Sequence, residues 1–405
     1  MRTRASGNHA LPLPGTGAFC SLVWPMIECD AELGTLLRVT RQFQVHGDLV
    51  HAEPCGIGHI NRTYIATYNQ GGARVRYVHQ KINRRVFRDP GAVMANLERV
   101  CAHLRRKLEE RGESDISRRC LTIVPTRDGR SHYVDDDGEY WRTYVCIEGV
   151  RSCEAVTEPD LAWEAGRAFG EFQALLADLP GPRLHDTIPD FHHTRKRFAA
   201  FAEAVQRDPL NRARHARAEI EFALRHEPLA GVVLDALASG RIPERITHND
   251  TKFNNVLLDE QTNRALAVVD LDTVMTGSVL YDFGDMVRTV TSPTAEDERD
   301  LSRVRVSLPL FEKLVQGYLE SAGSFLTPAE RELLVPAGKL ITFETGLRFL
   351  TDYLLGDTYF RIHRPDHNLD RCRTQFRLVA SLEEHQDALE EIVRRANHHA
   401  PAPVR

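Results

Sequence analysis

Between residues 48 and 147 apolar positions alternate with polar ones in short runs broken by glycine, which is the period of half-buried strands. Leu49–Glu53, Ile60–Tyr68 and Ala73–Ile82 read as three strands. The first two flank Pro54-Cys55-Gly56-Ile57-Gly58, and the second and third flank Gln70-Gly71-Gly72. Val75, Tyr77, His79 and Lys81 share one face of the third run, so a glycine hairpin is followed by a strand that ends in a lysine. The period then changes. Asp89-Pro90 offers a capping acceptor and a proline at the first helical position, Val93, Leu97, Val100, Leu104 and Leu108 recur at helical spacing, and Gly112 stands where such a helix ends. Further strands are expected at Leu121–Thr126, Ser131–Val134 and Tyr140–Ile147, after which Glu148-Gly149 reads as a hinge.

Beyond residue 150 the pattern is mostly helical. Thr157-Glu158-Pro159-Asp160 and Thr327-Pro328-Ala329-Glu330 both have capping-box spacing, and Leu161, Ala165, Ala168, Phe172 and Leu175 continue one helical face. One strand-rich patch, Ile246–Thr273, interrupts the helices.

Length and charge narrow the classes. A chain of 405 residues is long enough for two lobes, each with its own core, and a formal charge of −5 leaves no basic excess to neutralise a nucleic acid. The eight cysteines are scattered without a C-x-x-C pair, as in a reduced, cytoplasmic protein, and no apolar run is long enough to cross a bilayer. The expectation is a soluble protein with neither nucleic acid nor membrane as partner.

The chemistry concentrates in the patch. His248-Asn249-Asp250-Thr251-Lys252-Phe253-Asn254-Asn255 fits H-x-D-x-x-x-x-N, and a second acid, Asp270, ends the apolar run Ala267-Val268-Val269. Phosphoryl transfer asks a protein mainly to position groups and neutralise charge. In that scheme Asp250 takes the proton of an attacking hydroxyl, Lys252 lies against the transferred group, and Asn255 and Asp270 offer hard oxygens to magnesium on ATP. Singly, each of these residues is more often a turn or strand-end residue; jointly, beside a glycine hairpin and a strand lysine, they favour catalysis. Gly56 and Gly58 would let backbone approach phosphates, Lys81 would bind them, and Glu148 at the hinge is a further nucleotide-side candidate. Glu98 is either a partner for Lys81 or an ordinary exposed helix glutamate. Asp282-Phe283-Gly284 matches a kinase tripeptide, but Asp270 already fills the metal slot, so Asp282 and Asp285 read as structural residues near a helix start. The fold class is therefore α+β: a two-lobed protein-kinase-like fold with an N-lobe of antiparallel sheet plus one helix (31–149) and a mostly helical C-lobe (150–395), between flexible tails at 1–30 and 396–405.

The runs Thr247–Leu258, Val269–Met275 and Leu280–Asp285, with Gly58-His59-Ile60-Asn61, Gln80-Lys81-Ile82-Asn83, Arg348–Leu354 and His367–Asp370, closely resemble the N-acetylhexosamine 1-kinases of the aminoglycoside phosphotransferase and choline kinase superfamily. The likeness spans roughly residues 45–390 and departs from the family pattern at Lys81, Thr276 and residues 289–293. The resemblance implies transfer of the ATP γ-phosphate to the anomeric hydroxyl of N-acetylglucosamine or N-acetylgalactosamine. It also implies that Asp250 is the base, that Asn255 and Asp270 bind magnesium, and that His59, Arg348 and Tyr359 contact the sugar. Without it, His59 would serve its own loop, Arg348 would pair with Asp352 on its helix, and Tyr359 would belong to the core. An aminoglycoside kinase would need an acidic pocket and a choline kinase an aromatic cage; a nucleotide-binding pseudokinase would have lost one of the three acid or amide groups.

Overall fold

The computed structural model describes residues 34–55 and 60–399. Gly56, Gly58 and His59 lie outside the described residues. A helical segment, α1 (residues 34–40), precedes β1 (Asp48–Pro54), β2 (Arg62–Gln70), β3 (Ala73–Lys81), α2 (Pro90–Glu110), α3 (Ile116–Arg119), β4 (Tyr133–Val134) and β5 (Tyr140–Val145). These strands form one antiparallel sheet in the order β1-β2-β3-β5-β4. Asp89 caps α2 by accepting from Ala92 N, with Pro90 at the first position, and Gly112 adopts a positive φ just past the end. One face of the sheet buries Tyr64, Ala66, Tyr68, Tyr77 and Trp141 against Leu36, Val39 and Phe43.

The expected strand at Leu121–Thr126 is not formed as such. Val145 N donates to Thr122 O and Val124 N to Thr143 O, but the pairing is limited to isolated bridges at Ile123 and Thr126. Pro125, which has no N–H, interrupts the ladder. Ser131–Val134 likewise shrinks to β4.

The second lobe contains β6 (Val150–Arg151), α4 (Pro159–Leu176), α5 (Thr194–Arg207), α6 (Arg217–Arg225), α7 (Val232–Ala238), β7 (Arg245–Thr247), β8 (Val256–Asp259), β9 (Ala265–Val268) and β10 (Met275–Gly277). The helices α8 (Val279–Val290), α9 (Leu308–Ala322), α10 (Pro328–Glu332), α11 (Leu334–Leu355), α12 (His367–Glu384) and α13 (Gln386–His399) complete it, α13 running past the boundary expected at 395. Two small sheets, β6-β8-β9 and β10-β7, present the chemical patch to the sheet lobe. Of the two capping boxes, Thr327/Glu330 forms both reciprocal bonds, whereas α4 starts at Glu158 without a side-chain cap. The main core joins the inner face of α2 to α4, α8, α9 and α11. A Cβ on Gly284 would sit 2.4 Å from Ala337 O, so this glycine is fixed by the close approach of α8 to α11 and the Asp-Phe-Gly tripeptide is a helix-packing feature.

Candidate active site

Asp282 organises the catalytic segment. Fully buried in the first turn of α8, its carboxylate accepts from His248 N at 2.9 Å, Asn249 N at 2.6 Å and Gln173 Nε2 at 2.7 Å, while its carbonyl accepts from Thr251 Oγ1 at 2.6 Å. Burial raises its pKa above the usual carboxylate value, although three donors support the charge. The residue read as structural near a helix start is thus the anchor that holds both amides ahead of Asp250.

His248 is buried edge-on to Phe169 and Phe172, and its Nε2 donates to Val269 O at 3.0 Å. That bond fixes the proton on Nε2 and leaves Nδ1 to accept from Asp250 N at 3.3 Å. Thr273 Oγ1 donates to His248 O at 2.7 Å, Asn249 Nδ2 to Thr273 O at 2.9 Å, and Val269 N to Asn255 O at 2.9 Å. Four bonds therefore lock residues 248–255 to residues 269–273, and both Asn249 and Asp270 take positive φ values of 66° and 61°.

The expected catalytic groups converge on this frame. Asn255 Nδ2 donates to Asp250 O at 2.8 Å and approaches Asp250 Oδ2 at 3.4 Å, and Lys252 Nζ lies 2.9 Å from Asp250 Oδ1. Burial opposes the charge on Asp250, but Lys252 and His248 hold its carboxyl below the usual range, and Asp250 in turn raises Lys252. Asp270 behaves differently. It is exposed toward the space between the lobes, and among the described residues its carboxylate accepts no hydrogen bond. Withdrawal from bulk water, with the Asp272 and Asp250 carboxylates adding repulsion, pushes its pKa up to about 6.

Asp272 was not singled out from the sequence, yet it joins the lobes. Arg142 of β5, fully buried, makes a forked ion pair with both Asp272 oxygens, its Nη2 at 2.9 Å from Oδ2. Gln80 Oε1 accepts from Arg142 Nε at 3.0 Å and Nη2 at 2.9 Å. Asn61 Nδ2 donates to Asp272 Oδ2 at 2.7 Å, and Asn61 Oδ1 accepts from Asn83 N at 3.0 Å. The end of the glycine hairpin, the strand carrying Lys81, β5 and the Asp270 turn thus meet in one buried network.

The nucleotide-side residues lie apart from this frame. Lys81, half-buried at the end of β3, makes no ion pair among the described residues, and Glu98 is exposed on α2 rather than turned to it. Glu148 pairs its carboxylate with Arg76, and its carbonyl accepts from Arg118 Nε at 3.0 Å at the hinge.

On the acceptor side, His192 Nδ1 pairs with Glu344 Oε1 at 2.9 Å, and its Nε2 lies 3.2 Å from Asn249 O. Arg348 does not pair with Asp352. Instead Asp352 accepts from the backbone N–H of Thr358, Tyr359 and Phe360 at 2.8–2.9 Å and from Asn368 Nδ2 at 2.9 Å, fixing the turn that carries Tyr359. Tyr359 is 63% exposed, so it is no core residue. Aspartates that cap backbone inside a fold carry no sequence signature of their own, which is why Asp282, Asp272 and Asp352 were missed as organisers.

The residues present suit magnesium. No cluster of three His, Cys, Asp or Glu ligands occurs among the described residues, but this cation takes one or two carboxylates and completes its shell with phosphate oxygens and water. Asp270 supplies an uncommitted carboxylate, and the Asn255 amide nitrogen is bound to Asp250, leaving its oxygen as the available ligand.

A two-lobed kinase-like phosphotransferase is the class that this fold and frame define. The model of the phosphotransferase enzyme family matches residues 51–305, and the chain belongs to that family. Its fold is similar to an aminoglycoside phosphotransferase of Alicyclobacillus acidocaldarius, at 13% identity and TM-score 0.54, covering 90% of this chain and 96% of that one. It is equally similar to a choline kinase of Cryptosporidium parvum, at 12% identity and TM-score 0.54, covering 91% and 99%. The matched family segment ends before α9, so α11 with Glu344 and Arg348 lies outside it. Among the described residues, no helix is long and apolar enough to cross a membrane.

Proposed function

We propose that the chain is an ATP- and magnesium-dependent sugar kinase, phosphorylating the anomeric hydroxyl of an N-acetylhexosamine-type acceptor. The observation that carries this reading is the convergence of Asp250, Asn255 and Asp270 on one frame, with the Asn255 amide bonded to Asp250 and the Asp270 carboxylate accepting no hydrogen bond among the described residues. The acceptor hydroxyl donates to the Asp250 carboxylate and its oxygen attacks the γ-phosphorus. The bond from phosphorus to the β–γ bridging oxygen breaks, ADP leaves, and the hydroxyl proton passes to Asp250. Because Asp250 is held below the usual carboxylate range, it acts first by aiming the hydroxyl and takes the proton late. Lys252 uses one N–H on Asp250 and has two more for the oxygens of the transferred group. Bound magnesium, held by Asp270 and Asn255, would supply charge neutralisation on the phosphate oxygens. Arg348 and Tyr359 support a sugar rather than a polycation, because the acceptor side carries free cationic donors and an exposed ring.

The test is an ATP-consumption screen over free sugars, with an aminoglycoside and choline as controls, on wild type and Asp250→Asn. Magnesium-dependent ADP release with a hexose-type sugar, lost in the variant, is expected. Turnover confined to the aminoglycoside or choline, or an unimpaired variant, would overturn the reading.

A further inference from the structure

Two guanidinium groups stand on the acceptor side of the catalytic loop, with the single carboxylate of Glu344 acting electrostatically on both. Arg348, one helical turn after Glu344 on α11, lies 5.7, 6.0 and 5.4 Å from the ring centres of Phe191, Tyr359 and Phe360. Among the described residues it makes no ion pair. Arg197, near the start of α5, donates from Nη2 to Phe191 O at 3.1 Å, while its Nε is buried with no partner. Phe191 therefore carries one arginine on its ring and the other on its carbonyl. Burial and the like charge of Arg348 lower the pKa of Arg197 against the opposing pull of Glu344 and Asp190, so the cations outweigh the acids around them.

Every acid in reach is already committed. Glu344 accepts from His192 and Thr194, Asp352 from three backbone amides and Asn368, and Asp190 pairs with Lys196. Two guanidinium groups that meet at Phe191, outnumbering the one hydrogen-bonded carboxylate they share, form a site that an oxyanion completes by charge-assisted hydrogen bonds. The placement also suits an acceptor. His192 follows Phe191 and reaches Asn249 O, one residue from Asp250, whereas Asp272, two residues after the proposed magnesium ligand Asp270, pairs with Arg142 of the other lobe.

We infer that the acceptor carries an oxyanion, a carboxylate or a phosphate ester, which Arg197 and Arg348 hold while its reacting hydroxyl meets Asp250. This rests on the sugar-kinase reading and narrows its acceptor to an acidic sugar, an N-acetylhexosamine phosphate ester or a uronate in place of a neutral N-acetylhexosamine. A neutral N-acetylhexosamine would engage Arg348 through hydroxyl or amide oxygens and leave the two guanidinium groups sharing the one Glu344 carboxylate. Aminoglycosides and choline meet the wrong sign of charge. The chemical step is unchanged, with the γ-phosphoryl group moving from the bridging oxygen of ATP to the sugar hydroxyl oxygen.

The experiment compares kcat/KM for N-acetylglucosamine, N-acetylgalactosamine, glucuronate, galacturonate and N-acetylglucosamine 6-phosphate, with wild type, Arg197→Gln and Arg197→Lys. At least one acidic acceptor should exceed the neutral ones by about tenfold or more, and Arg197→Gln should cut its kcat/KM by roughly 10- to 100-fold, mainly through KM. Arg197→Lys, which keeps the charge and loses the fork, should retain part of the preference. Uronates and the phosphate ester separate a carboxylate requirement from a phosphate one. If neutral N-acetylhexosamines match or exceed every acidic sugar, the inference falls while the sugar-kinase reading stands. If no sugar is phosphorylated, that reading falls, and calorimetric titration with glucuronate and N-acetylglucosamine 6-phosphate decides the anion site alone. Heat of binding lost in Arg197→Gln supports it, and an absence of heat in wild type overturns it.

Discussion

On the phosphate side of Asp250, Asp282 fills its carboxylate with two loop amides and Gln173, and Asp272 fills its own with Arg142 and Asn61. On the acceptor side the acids are equally well used, but they hold backbone and histidine, and the two arginines over Phe191 are left with donors to spare. The first arrangement fixes geometry in advance, as electrostatic stabilisation of a transferring phosphoryl group requires. The second keeps charge in reserve for a ligand. The division crosses the boundary of the matched family segment: Phe191, His192 and Arg197 lie within residues 51–305, and the helix that bears Glu344 and Arg348 comes after it.

The largest expected effect sharpens the first half of the contrast. Asp250→Asn removes the carboxylate that takes the hydroxyl proton but leaves the Asp282 and His248 supports in place, so turnover should fall by about 10²- to 10⁴-fold with little change in ATP affinity. Steady-state kinetics and nucleotide titration measure the two separately.

Next is the link between the lobes. Arg142→Met strands Asp272 in a buried site and should cost about 3–5 kcal/mol in denaturant unfolding. The double variant Arg142→Met with Asp272→Leu should recover much of that stability, since two apolar groups replace two charges. If the network positions the Asp270 turn, the double variant stays impaired in the dependence of rate on magnesium concentration. Wild-type dependence would reduce the pair to an architectural contact.

These organisers were the least legible part of the sequence. The strand and helix periods gave the sheet, α2 and the helical lobe, and the spacing of Asp250, Asn255 and Asp270 located the frame, because periodicity and short-range spacing survive in one dimension. What was not legible is which partner a side chain finds across the fold. Lys81 and Glu98 have suitable positions along the chain, yet Glu98 points to solvent and the buried interlobe charge is Arg142 with Asp272, 130 residues apart. The Asp-Phe-Gly tripeptide misleads in the opposite direction: its glycine answers to Ala337 O and its aspartate to two amides before Asp250. Leu121–Thr126 has strand composition, but Pro125 cannot join a ladder.

His192 connects the two sides, and its titration tests whether they are coupled. Burial works against its charge, but Glu344 outweighs it and raises the pKa from 6.5, while His192 lowers Glu344 from 4.5 even against that residue's burial. A raised histidine gives stability that is complete below pH 6.5 and lost as pH rises through the folded value; a lowered glutamate gives stability lost as pH falls below 4.5. The pair is therefore strongest between these limits. His192→Gln should cost about 1–3 kcal/mol near pH 6 and distinctly less near pH 9, measured by urea unfolding at both. A cost that does not change with pH would show that packing against Tyr281, with ring centres 4.9 Å apart, outweighs the ion pair.

The smallest stability effect belongs to Tyr359, where the contrast between fixed and reserved groups is sharpest. Its backbone N–H is held by Asp352 and its ring stands beside Arg348, but the side chain is 63% exposed and buries little area on folding. Tyr359→Ala leaves the Asp352 bond intact, since any residue but proline supplies that N–H, so unfolding free energy should move by no more than about 0.5 kcal/mol. The ring's value lies in offering a face to the acceptor and a π surface to the Arg348 guanidinium, and cation–ring contacts at exposed sites contribute about 0.5–1 kcal/mol. The acceptor KM should accordingly rise by roughly 2- to 6-fold with kcat and the ATP KM unchanged. A comparable loss in kcat would place Tyr359 against the reacting hydroxyl, and a loss of stability would return it to the framework that Asp352 builds.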